Sequence, residues 1–182
     1  MKKQPETTEK TRQAFINIFC ELYTQKPIEK ISIQEISNKS GYNRSTFYQY
    51  FSDIYELLAY IEDDVLNYIQ KILQSKKCTT KPSDVQSIVC LFEEKGKYLE
   101  ALLGDYGNIR FLERLKKEIS SDELNLSFEK DTPILPYLME FHISTSISLI
   151  RLWRHRQKDL PLEELFNLIQ NLYNTGITSY SL

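Results

Sequence analysis

Apolar positions recur at helical spacing along the first part of the chain, and capping residues, a glycine and a proline separate the runs. The first run predicts a helix that buries one face and stops before Pro27. Its apolar residues follow the i, i+3, i+4, i+7, i+8 spacing of a single helix face: Phe15, Ile18, Phe19, Leu22 and Tyr23. This first helix can support the elements that follow it.

Two short helices separated by a glycine turn are predicted in the segment SIQEISNKSGYNRSTFYQYF. Ser32, followed three residues later by Glu35, is a capping box, so a second helix should begin at Ile33. That helix should bury Ile33 and Ile36. Gly41 should end it, because glycine is the usual residue just beyond a helix C-terminus.

A third helix should follow Asn43, whose side chain can cap its first turn. Phe47 and Phe51 repeat at helical spacing and should face the core. The polar face left over could donate and accept against base edges in a major groove about 12 Å wide: Arg44, Ser45, Thr46, Gln49 and Tyr50. Spacing alone also fits an ordinary helical hairpin with a solvated polar face.

A long fourth helix is predicted after Phe51. Asp53 and Glu56 form a second cap-like start. The apolar positions that continue this helix are Leu57, Leu58, Ile61, Val65, Ile69 and Ile72. Three short helices that run into a long one favour a helix-turn-helix head over a plain hairpin.

The residues of this head resemble the DNA-binding domain of the tetracycline-repressor (TetR/AcrR) family. The similarity lies in SIQEISNKSGYNRSTFYQYFSDIYEL, where a glycine turn is followed by a Thr-aromatic-Tyr helix, a further aromatic and then a leucine. The positions that fit are Ile36, Gly41, Thr46, Phe47, Tyr48, Phe51 and Leu57.

The resemblance implies roles for individual residues. Base-facing positions would be Gln34, Arg44, Ser45, Thr46 and Gln49, and phosphate contacts would be Ser32, Tyr48 and Tyr50. Tyr42, in the turn, is included among the DNA-binding candidates although family members usually have a small aliphatic residue there. Ser37 and Ser40 stand where alanines are common, and Ser52 and Ile54 stand where lysines usually grip the DNA backbone.

The distribution of charge agrees with a DNA-binding head. Residues 1–51 carry eight Lys or Arg and five acidic residues, a net charge of +3, within a chain whose net charge is −2. A basic head on an acidic body directs DNA to the head, because counterion release supplies much of the affinity. Two heads on one operator would double the phosphate contacts, which favours a homodimer.

The remainder of the chain predicts an all-α protein of about nine helices, because no useful run of strand-like alternation appears. We expect a DNA-binding domain over residues 1–52 and a helical effector-binding and dimerisation domain over 53–182, with 53–73 as the connecting helix. A polar linker should follow at residues 74–83, and Gly96 could bend the next helix. Gly104 and Gly107 should break the chain.

The last two helices should form the dimer interface. Apolar residues surround the helix from Ile134 to Trp153 on nearly every side, so burial on all sides is expected. One protomer can cover only part of this helix, and a second copy should cover the rest. Pro161 suits the first turn of the final helix. The predicted interface residues are Ile143, Ile147, Ile150, Leu165, Ile169, Leu172 and Tyr173. In the alternative, these residues only close the core of one protomer.

An effector pocket is implied mainly by the resemblance, since family members bind small molecules in a variable helical body. Aromatic and polar residues that could line the pocket are Phe92, Tyr98, Tyr106, Phe111, Tyr137, Phe141, His142 and Trp153. Aromatic residues at helical spacing can equally be plain core, and His142 can equally be a hydrogen-bonded core or interface histidine.

Other classes of function find little support. Cys20, Cys78 and Cys90 lack metal-site spacing, so we expect no metal and no cofactor; Cys20 should pack as a small hydrophobic group and Cys78 should be exposed. No phosphate loop or nucleophile elbow occurs, which argues against an enzyme. No apolar run approaches a membrane span, and the N-terminus lacks a signal-peptide pattern, so we expect a cytoplasmic protein.

The function expected from these features is a homodimeric repressor that binds double-stranded operator DNA and is released by an unknown small-molecule effector. The alternative is a helical regulator or coactivator that acts mainly through a protein partner, with weak or no DNA binding. The uncharged residues Ser52 and Ile54 would permit that alternative.

Overall fold

The computed structural model describes residues 5–75, 85–118 and 133–176, and these ranges are all-α as predicted. The predicted linker falls largely outside them, as does Cys78. A 3-10 helix, Ile28–Lys30, lies between the first two α-helices. The α-helices are α1 Pro5–Tyr23, α2 Ile33–Ser40, α3 Arg44–Phe47, α4 Ile54–Ser75, α5 Val85–Leu102, α6 Ile109–Glu118, α7 Leu135–His155 and α8 Leu162–Thr175.

The described residues form two compact units. The first contains the residues up to Asn67 together with Lys95–Phe111, and the second contains Tyr68–Glu94 and the residues from Leu112 onward. Helices α4, α5 and α6 therefore each contribute residues to both units. The predicted division of the chain at residue 52 stays a prediction, and that position lies inside the first unit.

The core of the first unit is built on aromatic residues of α1 and α3. Phe15, Phe19 and Phe47 are fully buried. The rings of Phe15 and Phe47 pack edge to face, with their centroids 5.3 Å apart. Burial of a large aromatic side chain contributes about 1.5–3 kcal/mol. These rings join α1 to the helix-turn-helix segment.

A second face of α1 is also covered, which the sequence pattern did not predict. Ile16 and Cys20 are buried, whereas Ile18, expected in the core, is half-exposed. Gln13, Ile16 and Cys20 share one face of α1 at helical spacing, and the Gln13 amide there donates to the Tyr98 hydroxyl of α5 at 2.9 Å. α5 therefore creates the second buried face. Cys20 is buried, as predicted for a packing residue, and this burial raises the pKa of its thiol to about 12.

The second unit packs α8 against α7. Phe92 of α5 contacts Trp153 and Phe166, with ring centroids 6.4 and 5.7 Å apart. The Trp153 indole N–H donates to the Leu160 carbonyl at 2.7 Å, which fixes the connection between the two helices. Pro161 lies one residue before α8 rather than within its first turn.

In the protomer, helix α7 is buried on one side only, as expected, and its burial on the remaining sides by a partner copy stays a prediction. Ile134, Tyr137, Phe141 and Leu152 are between 53% and 77% exposed. α8 covers one face of α7, on which Ile143, Ile147 and Ile150 are buried, and the opposite face stays open. Among the described residues, none of the helices has the length and apolar character needed to cross a bilayer.

The turn between α5 and α6 requires glycine at position 107. A Cβ built on Gly107 would lie 2.0 Å from the Leu102 carbonyl oxygen, which is a backbone atom that cannot move aside cheaply. Gly96 differs, because α5 runs through it without ending and a Cβ there would meet no atom within 4 Å.

We therefore expect opposite effects from two alanine substitutions in the same unit. Gly107→Ala should lower the free energy of unfolding by about 1–3 kcal/mol through overpacking. Gly96→Ala should raise it by about 0.5–1 kcal/mol, because alanine favours a helix interior. Urea denaturation of both variants measures the difference. Equal stability of the two variants would contradict the described turn.

Candidate nucleic-acid interface

The N-terminus of α2 is capped by Ser32, as predicted. Ser32 has an extended backbone, and its Oγ accepts a hydrogen bond from the Glu35 N–H at 3.1 Å. Glu35 is the acidic residue of the predicted capping box. Both oxygens of its carboxylate accept a hydrogen bond from Lys26 Nζ, at 2.6 and 2.8 Å, so the carboxylate is held in an ion pair. The exposed Ser32 hydroxyl keeps its own proton available for an acceptor such as a phosphate oxygen.

Gly41 ends α2 in the left-handed conformation that its position requires, with φ of 75°. The next residue, Tyr42, packs its ring against Phe15 at a centroid distance of 5.4 Å and stays 38% exposed. A tyrosine at this turn therefore shields Phe15 and presents its edge to solvent. Ser37, beneath the turn, is buried, and its Oγ has no hydrogen-bond partner among the described residues.

The recognition element is shorter than the sequence suggested. α3 is one turn, Arg44–Phe47, and hydrogen-bonded turns continue it to Phe51, whose N–H donates to the Phe47 carbonyl at 3.1 Å. Asn43 occupies the N-cap position, but the prediction that its side chain caps the helix was wrong. Its backbone carbonyl instead accepts from Thr46 and Phe47, at 2.9 and 3.2 Å.

Burial separates the anchoring residues of this element from its polar ones. Phe47 is fully buried and Phe51 is nearly so, as expected. Ile36 is buried too, whereas Ile33 is only half-buried. The exposed candidates are Ser32, Gln34, Tyr42, Arg44, Ser45, Tyr48 and Gln49, while Thr46 and Tyr50 are half-buried. The segment α2–turn–α3 thus brings all nine predicted DNA-binding residues together within one unit, and their contacts with DNA stay a prediction.

Arg44 differs from two other cations of the head. Lys26 is paired with Glu35, and Lys39 lies 3.6 Å from the Glu21 carboxylate. Arg44 makes only a long hydrogen bond, 3.4 Å, to the Tyr48 hydroxyl, and within the described ranges it has no carboxylate partner. Its guanidinium is therefore available to a guanine edge or a phosphate.

The N-terminus of α4 is acidic, as the predicted cap implied. Asp53 Oδ1 accepts from the N–H groups of Tyr55 and Glu56, both at 2.8 Å. Glu56 accepts from the Ser52 N–H at 2.5 Å, and hydrogen bonds from the Ser52 side chain and backbone lower the pKa of Glu56. The backbone N–H groups of Ser52, Tyr55 and Glu56, which a phosphate could use at this helix end, already donate to the carboxylates of Asp53 and Glu56.

The predicted ligand-binding residues are divided between the units. Tyr98, Tyr106 and Phe111 belong to the first unit, where Tyr98 bonds to Gln13 and Phe111 is fully buried. The other five belong to the second unit. Phe92 contacts Trp153, and Phe141 and His142 each contact Tyr173, so two clusters form there. The ligand assignment itself stays a prediction.

His142 was expected to be a core or interface histidine held by hydrogen bonds. Its Nδ1 is instead buried without a hydrogen-bond partner among the described residues, while its ring lies 4.0 Å from the Tyr173 ring. The Tyr173 hydroxyl donates to the His142 backbone carbonyl at 2.6 Å. Burial lowers the pKa of His142, so its neutral form is favoured in the folded protein.

Comparison with known proteins identifies the head. Residues 20–61 match the sequence profile of the family described as bacterial regulatory proteins, tetR family. Residues 20–61 therefore carry a TetR-family DNA-binding domain. The match spans the end of α1, the helix-turn-helix and the start of α4, so it contains the candidate interface.

Solved structures of TetR-family regulators share the fold of the chain. A TetR transcriptional regulator from Streptococcus agalactiae 2603V is 22% identical, with a TM-score of 0.65 over 92% of this chain and 95% of that chain. The fatty acid degradation regulator FadR from Bacillus halodurans is 14% identical, with a TM-score of 0.66 over 97% and 98%.

A more distant likeness is the TetR-like regulator LfrR from Mycobacterium smegmatis in complex with proflavine. It is 17% identical, with a TM-score of 0.50 over 93% of this chain and 97% of that chain. No curated protein sequence matches the chain. These identities are all below 25%, so the likenesses establish the fold alone.

The environment of His142 predicts a dependence of stability on pH. Because the folded state lowers the pKa of His142, the unfolded chain binds this proton more readily, and stability should fall as the pH drops below the ordinary value of 6.5. His142→Phe should weaken this loss while keeping the ring contact with Tyr173. His155→Gln, which removes the exposed second histidine of the chain, is the control and should retain the wild-type dependence.

Urea denaturation between about pH 7 and 5 measures the effect. If the stability of His142→Phe falls with pH as steeply as that of the wild type, His142 is not the source of the pH dependence.

Proposed function

We propose that this protein is a homodimeric transcriptional repressor that binds operator DNA through α2 and α3 and is released by a small-molecule effector. Arg44 carries the proposal, because it is exposed on the recognition element and has no carboxylate partner among the described residues. Ser45, Tyr48 and Gln49 flank it with hydroxyl and amide groups that suit phosphates and base edges.

The open face of α7 supports a homodimer. Tyr137, Phe141 and Leu152 are exposed. Phe141 follows Tyr137 by four residues and Leu152 follows Phe141 by eleven, which places all three on one side of the helix. Five of the seven residues expected at the interface are buried in the protomer itself: Ile143, Ile147, Ile150, Leu165 and Ile169. We therefore propose that the partner covers the exposed Tyr137–Leu152 face, and that the five buried residues support it from beneath.

A small-molecule effector is supported by two observations. The second unit contains aromatic contacts among Phe92, Trp153 and Phe166, and apolar side chains of this kind line most ligand sites. LfrR, which shares the fold, has been solved in complex with proflavine. An effector that prefers one spacing of the two heads would weaken operator affinity, and DNA would weaken effector binding by the same factor.

The second candidate function is a regulator that acts through a protein partner. The acidic cap formed by Asp53 and Glu56 favours it, because these carboxylates lie beside the recognition element and repel phosphate. The two functions differ in one measurable property, since DNA binding through phosphate contacts must weaken as salt is added.

DNA binding is tested with Arg44→Ala and Tyr48→Phe. The probe is a duplex that the wild-type protein enriches from a random-sequence library. Arg44→Ala should weaken affinity by about ten-fold or more, since a good arginine–base contact contributes about 1–3 kcal/mol. Tyr48→Phe should cost less, because it removes one hydroxyl contact.

Two matched variants serve as controls. Arg110→Ala removes an exposed arginine from α6, and Tyr106→Phe removes the hydroxyl of an exposed tyrosine. Both should bind as the wild type does. If no duplex is enriched and binding is insensitive to salt, the proposed function fails and the protein-partner alternative gains support.

The dimer is tested with Phe141→Glu, which places a charge in the exposed α7 face. The wild type should scatter light as a dimer at micromolar concentration, and the variant should scatter as a folded monomer, because a buried unpaired charge is costly. Leu160→Glu, at an exposed position after α7, is the control and should remain dimeric. A monomeric wild type, or a Phe141→Glu dimer of undiminished affinity, would contradict this interface.

A further inference from the structure

The head needs a cation beyond Arg44 if it is to hold the DNA backbone. The segment after the recognition element offers none, because Ser52 and Ile54 are uncharged and the helix end behind them is capped by Asp53 and Glu56. Lys26 and Lys39 are already engaged by carboxylates. A cation that binds the DNA backbone where the recognition element joins α4 must therefore come from another element.

Arg12 of α1 lies beside this junction. The carbon at the centre of its guanidinium is 5.9 Å from the centroid of the Tyr50 ring and 5.6 Å from that of the Tyr60 ring. Tyr50 lies in the hydrogen-bonded turns that continue α3 to Phe51, and Tyr60 lies on α4 and packs against Phe51. Two aromatic faces thus hold one guanidinium beside the point where the recognition element joins α4, an arrangement that favours arginine over lysine.

The carboxylate partner of Arg12 is one that a phosphate could replace. Glu9 lies 2.9 Å from the guanidinium, and its side chain is 59% exposed, against 30% for that of Arg12. An exposed ion pair contributes only about 0–1 kcal/mol. Glu9 accepts a hydrogen bond from Arg12 through Oε2, and a phosphate, which can accept two in parallel, offers the guanidinium a second one in exchange. A hydrogen bond to Tyr60 raises the pKa of Arg12, whose guanidinium is charged in any case.

We propose that Arg12 is a phosphate-binding residue of the DNA interface, held in place by Tyr50 and Tyr60 and released from Glu9 when DNA binds. This inference rests on the proposed function. It assigns the missing backbone contact to α1 and makes the first helix part of the interface as well as part of the core.

The test is the salt dependence of DNA affinity for four variants, measured by fluorescence anisotropy with the duplex that the wild type enriches. Arg12→Gln should weaken binding about ten-fold at low salt and reduce the steepness of the salt dependence by about one unit per head. Arg12→Lys keeps the charge and should keep the salt dependence of affinity. It should bind DNA more weakly than the wild type, because lysine cannot make the bidentate hydrogen bonds of a guanidinium. Glu9→Gln should tighten binding a few-fold, because it removes the competitor.

The matched control is Arg156→Gln. Arg156 forms an ion pair with Asp159 three residues away, at 2.5 Å, and belongs to the second unit, so the variant loses the same charge and the same kind of pair. It should bind as the wild type does. Melting curves establish that each variant is folded; if Arg12→Gln is not folded, Glu9→Gln decides, and unchanged affinity overturns the inference.

Two failures are distinguishable. Wild-type affinity and slope in folded Arg12→Gln, with binding by the wild type intact, would overturn the role of Arg12 and leave the proposed function standing. Absence of salt-sensitive binding by the wild type itself would overturn the proposed function, and the role of Arg12 with it.

Discussion

The burial of Phe47 beneath Phe15 is the interaction on which the head depends. An α-helix of one turn, as α3 is, has no stability of its own, because its first hydrogen bond must offset the cost of fixing several residues. The Phe15–Phe47 contact fixes the orientation of α3, and the hydrogen-bonded turns to Phe51 extend it toward α4. Arg44, Ser45 and Tyr48 are exposed because Phe47 is anchored.

Contacts to α5 extend this arrangement beyond the three helices of the head. Tyr98 bonds to Gln13 of α1, and Lys95 forms an ion pair with Asp64 of α4. Helix α5 therefore belongs to the first unit at its C-terminal half and contributes Phe92 to the second unit's aromatic cluster.

The sequence predicted the helices of the head well and the partners of its residues less well. Ser32, Gly41 and Asp53 act locally, within a few residues, so their roles follow from spacing. The pairing of Glu35 with Lys26, the second buried face of α1 and the cation–π contacts of Arg12 join residues on different elements. Such contacts depend on tertiary packing, which periodicity does not describe. An uncovered face of α7 in the single protomer was predicted, but the residues that form it were not, because apolar composition does not specify which neighbour covers which side of a helix.

The proposal that two copies of α3 bind one operator is tested most directly by sequencing the genomic DNA fragments that the wild-type protein retains. These fragments should share one enriched motif with two-fold symmetry, whose half-sites lie about one helical turn, 34–36 Å, or a multiple of it apart. Retained fragments that share no motif, or a motif with a single half-site, would contradict the proposal.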